Sequence, residues 1–455
     1  MVYLNYLYGK GDTQMSERKY TEISKGVKLL CVNSDKFKTN CIKVDFYLPI
    51  SEYFPAQNVL ASFMGHTSKK YNTVKAFNSK VEGMYDACFD TTVVTVGEKV
   101  RIRFSMEILD DKFSIDDNSI SEEAVDFLVE VLGNPNATEN GFDEVNTARE
   151  IRFTLENIEA MKNDKRAYAV SRLRQLMCKD EPYGIDNDWL EEGVRGLDSK
   201  QLLDAYNNML ETASIVITAC GSGDGEMLTE KFKAFVEKIN NRNPAVLETV
   251  FVTKADEIRY FKEEMDVNQA KLVIGLRAGM ENSNDDYFAY RVMTDIFGGG
   301  PYSRLFLNVR EKMSLCYYCG ARLIREKGII LIQSGIEEEN YEKALFEILN
   351  QLNIMKNGEF TDEDFNSSII ALCDAFKGVE DSPVAVCNFY SSQEFDEEII
   401  SGEEFAKRIS AVTREQVIEC ARKVTVDTVY LLKGEAENND YYQINKKRPP
   451  QGFVF

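Results

Sequence analysis

Histidine is the scarcest chemically useful residue in this chain, which contains 455 residues and a single histidine, His66. A hydrolase that binds zinc through two histidines and a carboxylate therefore cannot be built from this chain alone. A Ser-His-Asp or Cys-His hydrolase would depend entirely on His66. That residue lies in the segment MGHTS, which predicts the end of a helix, where histidine commonly caps backbone carbonyls. The pattern favours this capping role over catalysis.

Long apolar runs and an excess of positive charge are also missing. No stretch approaches the roughly 20 apolar residues of a membrane helix, and residues 1–20 lack the basic start and apolar middle of a secretory signal. The net charge of −21 disfavours nucleic acid and anionic membrane surfaces as partners. Ten cysteines spread along the whole chain are typical of reduced thiols, so we expect a cytoplasmic protein.

An internal repeat organises the chain. Residues 77–89 align with residues 306–318, and each copy runs from an amphipathic helix into alternating apolar residues typical of strands. A long helix, a capped helix and a final strand then follow in the same order in both copies. This predicts an α+β fold of two homologous domains, each an antiparallel-rich sheet with helices packed on one face. We place the domains at residues 1–228 and 249–455, and a polar linker at residues 229–248 would allow hinge motion between them.

The segment IFGGGPYSRLFLNVREKMSLCYY contains a glycine triplet, Gly298, Gly299 and Gly300, after a predicted helix. The triplet predicts either an ordinary C-cap and loop or a place where a foreign peptide backbone approaches closely, since glycine has no Cβ. It is not a phosphate-binding loop, because no Gly-Lys-Ser/Thr follows at the required spacing.

Arg310 and Tyr317 follow the glycine triplet. The helix that carries Arg310 is expected to end near Ser314, so that Tyr317 begins the next strand. An arginine and a phenol held as preorganised donors would polarise a peptide carbonyl and stabilise its oxyanion. The simpler alternative assigns Arg310 to a surface ion pair and Tyr317 to the core. The two residues taken alone favour that alternative.

Cys316 and Cys319 form a lone CxxC motif without the second pair or the histidines of a zinc site. In a regular strand their thiols would point to opposite faces, which favours a structural role. The acidic run at residues 337–339 predicts a solvated turn.

Taken together, the glycine triplet, Ser-Arg-Leu-Phe, Arg-Glu-Lys and Leu-Cys-Tyr resemble the C-terminal-domain motif of the pitrilysin/insulinase family of zinc metallopeptidases. Weaker matches are KKYNT at 69–73, NDK at 163–165, AYA at 167–169 and EPYG at 181–184, so that the resemblance covers roughly residues 20–435. Half-size members of that family have two homologous α+β domains, in agreement with the internal repeat.

The departure from the family pattern lies at the metal site. Members that cut peptides carry His-x-x-Glu-His, in which the histidines bind zinc and the glutamate is the general base. Alignment on the KKY segment places these positions at Asn58, Ala61 and Ser62. The third zinc ligand falls at Asn157, seven residues after a retained Glu150. We therefore expect no metal and no other cofactor in this chain.

The resemblance implies a role in a two-chain peptidase. In the family's two-subunit forms zinc lies in one subunit and the Arg/Tyr pair comes from the other, and this sequence is similar to zinc-less members from Gram-positive bacteria. We expect a non-catalytic subunit of a heterodimeric zinc peptidase in which Arg310 and Tyr317 hold the substrate carbonyl. Gly298, Gly299 and Gly300 would border the peptide path, and a homologous partner with His-x-x-Glu-His would supply zinc.

Two alternatives stay open. The first is a proteolytically inactive peptide-binding or structural homodimer, against which the retained Arg310 and Tyr317 argue. A neighbouring gene for a homologue with His-x-x-Glu-His would favour the heterodimer, and its absence the homodimer. The second is an unrelated hydrolase that uses His66 or the CxxC motif, and activity that survives His66→Ala would remove its histidine version.

Overall fold

The computed structural model describes residues 17–115, 118–223, 225–284 and 286–435. The expectation about a secretory signal falls mainly on residues 1–16, which lie outside these ranges. Within them, helices and two mixed sheets form an α+β fold, so the predicted fold class is confirmed. No helix in the described ranges combines the length and the apolar character needed to cross a membrane.

The first half forms a six-stranded sheet in the order β1-β2-β8-β3-β5-β4. The strands are β1 Glu17–Ser24, β2 Val27–Asn33, β3 Thr39–Pro49, β4 Cys88–Val96, β5 Lys99–Leu109 and β8 Ser214–Gly221, with β6 Ala137–Thr138 and β7 Gly141–Phe142 as a separate pair. The helices are α1 Phe54–Met64, α2 Val74–Glu82, α3 Ile120–Gly133, α4 Glu144–Asn163, α5 Lys165–Met177, α6 Asn187–Arg195, α7 Ser199–Thr212 and α8 Gly225–Val236.

The second half forms a five-stranded sheet in the order β11-β12-β10-β13-β9. The strands are β9 Arg259–Glu264, β10 Ala270–Arg277, β11 Cys316–Ile324, β12 Ile329–Ile336 and β13 Thr425–Lys433. The helices are α9 Tyr287–Gly298, a π-helix Leu305–Lys312, α10 Tyr341–Asn357, α11 Asp362–Lys377, α12 Pro383–Ser391, α13 Gly402–Ser410 and α14 Arg414–Lys423.

The two sheets repeat one topology, which confirms the predicted internal repeat. Read from β9, the order β9-β13-β10-β12-β11 matches β2-β8-β3-β5-β4 strand by strand. The single parallel pair also recurs at the same place, as β2 with β8 and as β13 with β9. The last helix of each half begins with a capping box, on Asp198 in α7 and on Thr413 in α14. The local signals that predicted the repeat thus form equivalent elements.

A helix exchanged between the halves covers the second face of each sheet. Helix α12 of the second half packs its Val386, Cys387 and Tyr390 against apolar residues of β2, β3 and β8. Helix α5 of the first half packs Leu173 and Met177 against β10, β12 and β13. The prediction of helices on one face of each sheet was therefore incomplete, because each half contributes one helix to the other.

A buried ion network joins the halves. The Lys327 ammonium has no solvent exposure and lies 2.7 Å from Glu98 Oε1 and 2.5 Å from Glu181 Oε2. Arg277 Nη2 lies 2.6 Å from Glu181 Oε1, and its Nε lies 2.7 Å from Asp427 Oδ2. Because separating such pairs would leave charges unpaired in the interior, the network opposes the hinge motion that the polar linker suggested.

The region of the predicted linker is partly packed. Helix α8 extends into it, and Phe232 and Phe235 on this helix are buried in the core of the first half. After α8, residues 237–258 contain no helix or strand. The domain boundaries themselves remain predictions.

Candidate functional site

The four positions that correspond to zinc-site residues lie on α1 and α4, two helices that pack together. The Asn58 amide donates a 2.7 Å hydrogen bond to the Phe54 carbonyl one turn earlier. Ala61 is buried, Ser62 is partly buried, and Asn157 is exposed on α4. The two helices that carry the metal site in the family therefore pack together here as well. The four positions, however, hold the amide of Asn58, the methyl of Ala61, the hydroxyl of Ser62 and the amide of Asn157.

The retained Glu150 is satisfied by its neighbours. Its side chain is only 2% exposed, and the Ser62 hydroxyl donates to it at 2.5 Å. His66 Nδ1 and Arg149 Nη2 lie 3.3 Å and 2.7 Å from its carboxylate oxygens. Burial raises the pKa of Glu150, but hydrogen bonds from His66, Ser62 and Arg149 outweigh burial and lower it to about 2. His66 therefore pairs with a carboxylate, and the expected carbonyl-capping role is wrong.

These residues do not fit a zinc ion. Zinc requires imidazole, thiolate or carboxylate donors converging on one point. Only Glu150 and His66 at this place are such donors, and His66, Ser62 and Arg149 already occupy the Glu150 oxygens. Across the described ranges, no group of three or more His, Cys, Asp or Glu side chains could hold a metal ion.

Arg310 and Tyr317 line one open pocket of about 410 Å³, together with Glu337 and Asn340. Arg310 lies on the π-helix and Tyr317 is the second residue of β11. Between them Ser314 adopts a left-handed backbone with φ of 50°, which turns the chain from the helix into the strand. The expected helix end near Ser314 and the strand at Tyr317 are therefore confirmed.

The Arg310 side chain is held only loosely. Arg310 Nη1 lies 3.5 Å from Glu311 Oε1, and the guanidinium lies 4.5 Å from the centroid of the Phe306 ring. Such an exposed ion pair contributes about 0–1 kcal/mol, so the guanidinium can reorient toward a ligand at little cost. Tyr317 is 58% exposed, and the alternative that placed it in the core is wrong. Its phenol donates a hydrogen bond to Glu337.

A β-bulge directs Tyr317 toward the pocket. The register of β11 against β12 shifts between Cys316 and Tyr318, so Tyr317 is the extra residue of the bulge. Cys316 and Cys319 consequently both face the core, and the prediction of thiols on opposite faces is wrong. The hydrogen bond from Cys319 outweighs burial and lowers the pKa of Cys316, whereas the same contact and burial raise the pKa of Cys319.

The glycine triplet is tightly packed within the chain. A Cβ on Gly298 would lie 2.4 Å from the backbone nitrogen of Ala321 in β11. A Cβ on Gly299 would lie 2.1 Å from Asp295 Oδ1, and a Cβ on Gly300 would contact the ring of Tyr302. None of the three glycines lines the pocket of Arg310 and Tyr317. These contacts within the chain explain why the three positions are occupied by glycine. That the triplet borders a peptide path stays a prediction.

Glu311, Glu337 and Asn340 line the pocket as well but were not predicted as site residues. Residues 337–339 were predicted to form a solvated turn, and all three are exposed. However, Glu337 also accepts the hydrogen bond from Tyr317. The contact follows from the β-bulge, which leaves Tyr317 unpaired next to the end of β12, where Ile336 pairs with Cys316 and Glu337 is the next residue.

Residues 196–372 match the family model described as the peptidase M16 inactive domain. The chain is 28% identical over 410 residues to the probable inactive metalloprotease YmfF of Bacillus subtilis, an alignment that covers 90% of this chain and 96% of YmfF. A conserved protein from Enterococcus faecalis V583 superposes with a TM-score of 0.84 at 25% identity, over 93% of this chain and 100% of that chain. The peptidase M16 inactive domain from Pseudomonas fluorescens superposes with a TM-score of 0.75 at 17% identity, over the same shares.

These likenesses, together with the fold and the altered metal site, define the class of the protein. Residues 196–372 of the chain carry the M16 inactive domain, and the resemblance to insulinase-type peptidases is confirmed. Over most of its length the chain is a homologue of a probable inactive metalloprotease.

Proposed function

We propose that the chain is the non-catalytic subunit of a heterodimeric M16 zinc peptidase and contributes Arg310 and Tyr317 to the active site of its partner. One contrast carries the proposal. Two hydrogen-bond donors suited to a peptide carbonyl converge on an open pocket, while the positions of the family's metal site hold no zinc ligand. A chain that had become a pure scaffold would have no use for this pair of donors.

The chemistry assigned to the chain is binding and charge stabilisation. The guanidinium of Arg310 and the phenol of Tyr317 would donate to the scissile carbonyl and to the oxyanion that develops from it. The partner, a homologue with His-x-x-Glu-His, would supply the metal ion and the general base. We keep Gly298, Gly299 and Gly300 as a border of the peptide path because their turn leads into the π-helix that carries Arg310.

A cytoplasmic location belongs to the same proposal. The neighbouring cysteines Cys316 and Cys319 are both free thiols. Thiols placed this close together persist more readily in a reducing compartment.

The experiment is to co-express the chain with the product of a neighbouring gene that carries His-x-x-Glu-His and to measure peptide cleavage. Arg310→Ala should reduce kcat by about 10²–10³, the cost of losing one oxyanion donor, while the two chains still co-elute. Lys312→Ala is the matched control, because Lys312 lies on the same π-helix and is exposed.

Undiminished cleavage by the Arg310→Ala complex would contradict the proposal. A chain that forms stable homodimers, and yields no peptidase with that homologue, would favour the alternative of an inactive peptide-binding or structural homodimer. Size-exclusion chromatography with light scattering distinguishes the two assemblies.

A further inference from the structure

Glu337 makes the contact that decides what Tyr317 can do. Glu337 directly follows β12, is exposed, and lines the pocket together with Arg310 and Asn340. Its carboxylate accepts the hydrogen bond of the Tyr317 phenol. Because the phenol has one proton, it cannot donate to Glu337 and to a peptide carbonyl by the same bond.

A peptide carbonyl competes poorly for that proton. Hydrogen bonds to an ionised acceptor are roughly twice as strong as those between neutral groups. The hydrogen bond to Glu337 and its negative charge also raise the pKa of Tyr317, so the phenol remains protonated at neutral pH. Tyr317 therefore remains a hydrogen-bond donor. Its phenol proton, however, is directed at the Glu337 carboxylate as long as no other group pairs with that carboxylate.

No cation within the described ranges neutralises Glu337. Among the charged residues that line the pocket, the only cation is Arg310, which contacts Glu311 and the Phe306 ring instead. The neighbouring Glu338, by contrast, has a lysine partner, because Lys433 Nζ lies 3.0 Å from its carboxylate. Within the described ranges Glu337 is therefore an exposed carboxylate with no cationic partner, in the pocket where a peptide would enter.

We propose that Glu337 is a latch on Tyr317, which a lysine or arginine side chain of the bound peptide releases by pairing with the carboxylate. The inference rests on the proposed function, since it assigns Tyr317 to a peptide carbonyl. It makes Glu337 a positioning residue and makes peptides with a basic side chain near the gripped bond the preferred ligands.

The first test uses the chain alone. Tyrosine ring signals labelled with carbon-13 are recorded by NMR, and the signal of Tyr317 is assigned by its loss in Tyr317→Phe. Two peptides identical except for one lysine or its uncharged isostere norleucine are titrated. The lysine peptide should shift the Tyr317 signal at a concentration about two- to fivefold lower than the norleucine peptide does. This factor corresponds to the binding free energy of one exposed ion pair. Glu337→Gln should remove the difference, and Glu339→Gln, an exposed neighbour in the same acidic run, should keep it.

Equal responses to the two peptides, no response of Tyr317 to either, or a lysine preference that survives Glu337→Gln would overturn the proposal. In the reconstituted peptidase, Glu337→Gln should lower kcat/KM for the lysine peptide and raise it for the norleucine peptide. A substitution that merely damaged the fold would lower both. If no partner reconstitutes activity, the proposed function fails, whereas the NMR titration still decides the role of Glu337.

Discussion

Replacement of Lys327 by methionine tests whether the ion network joins the two halves. Methionine keeps most of the side-chain volume but removes the ammonium from between two carboxylates. Glu181 would retain Arg277 at 2.6 Å, whereas Glu98 would lose the ammonium at 2.7 Å while only 6% exposed. Breaking a buried pair from one side costs about 3–5 kcal/mol, because the remaining charge is unpaired in the interior.

The assay is urea unfolding followed by the fluorescence of Trp189, the single tryptophan, and by far-ultraviolet circular dichroism. Trp189 lies in α6 of the first half, whereas circular dichroism reports helices of both halves. If the network joins the halves, the two probes should give the same midpoint in the wild type. In Lys327→Met the free energy of unfolding should fall by about 3–5 kcal/mol.

Two further variants complete this test. Lys407→Met removes an exposed i,i+4 pair with Glu403 and should cost about 0.3–0.5 kcal/mol. Adding Glu98→Gln to Lys327→Met should recover part of the loss, because the orphaned charge disappears. A loss in Lys327→Met no larger than that in Lys407→Met would refute the reasoning.

Two other substitutions test local features of the structure. Glu150→Gln should lower the free energy of unfolding at pH 7 by roughly 2–3 kcal/mol, because the pKa of Glu150 is about 2 against an ordinary 4.5. That stabilisation is complete above the ordinary pKa and is lost as the pH falls through the folded-state pKa. The free energies of unfolding of the wild type and Glu150→Gln, measured by urea titration, should therefore converge near pH 2. A difference that stays constant with pH would contradict the assignment. Gly298→Ala should cost about 1–3 kcal/mol because its Cβ meets the backbone of Ala321. Gly223→Ala, whose Cβ would meet nothing within 4 Å, should stay within about 0.5 kcal/mol, and equal melting temperatures would contradict the packing argument.

The sequence predicted the features that have local signals. Apolar alternation identified strands such as β5 and β12, caps identified α7 and α14, and their common order revealed the repeat. The histidine count likewise sufficed to exclude a two-histidine zinc site. These predictions succeed because each depends on residues close together in the chain.

The features that the sequence did not predict depend on register or on distant contacts. The bulge at Tyr317 depends on how β11 pairs with β12, and no composition signal marks it. The contact between Tyr317 and Glu337 depends in turn on that bulge. The pairing of His66 with Glu150 needed α1 to pack against α4, across more than eighty residues of sequence. Register and packing of this kind follow from the assembled sheet rather than from any one segment.

The exchange of α5 and α12 between the halves sets an order for folding during synthesis. Domains generally fold from the N-terminus as the chain emerges, but the second face of the first sheet, with Leu30 and Val32, remains uncovered until α12 has been made. We expect a fragment ending at residue 250 to expose this apolar face and to aggregate, and co-expression of residues 251–455 to prevent it, as light scattering would show. Soluble, monomeric behaviour of the fragment alone would contradict this expectation. A ribosome that stops before α12 would therefore release a first half with an open apolar surface, which makes the chain a single unit for translation and for quality control.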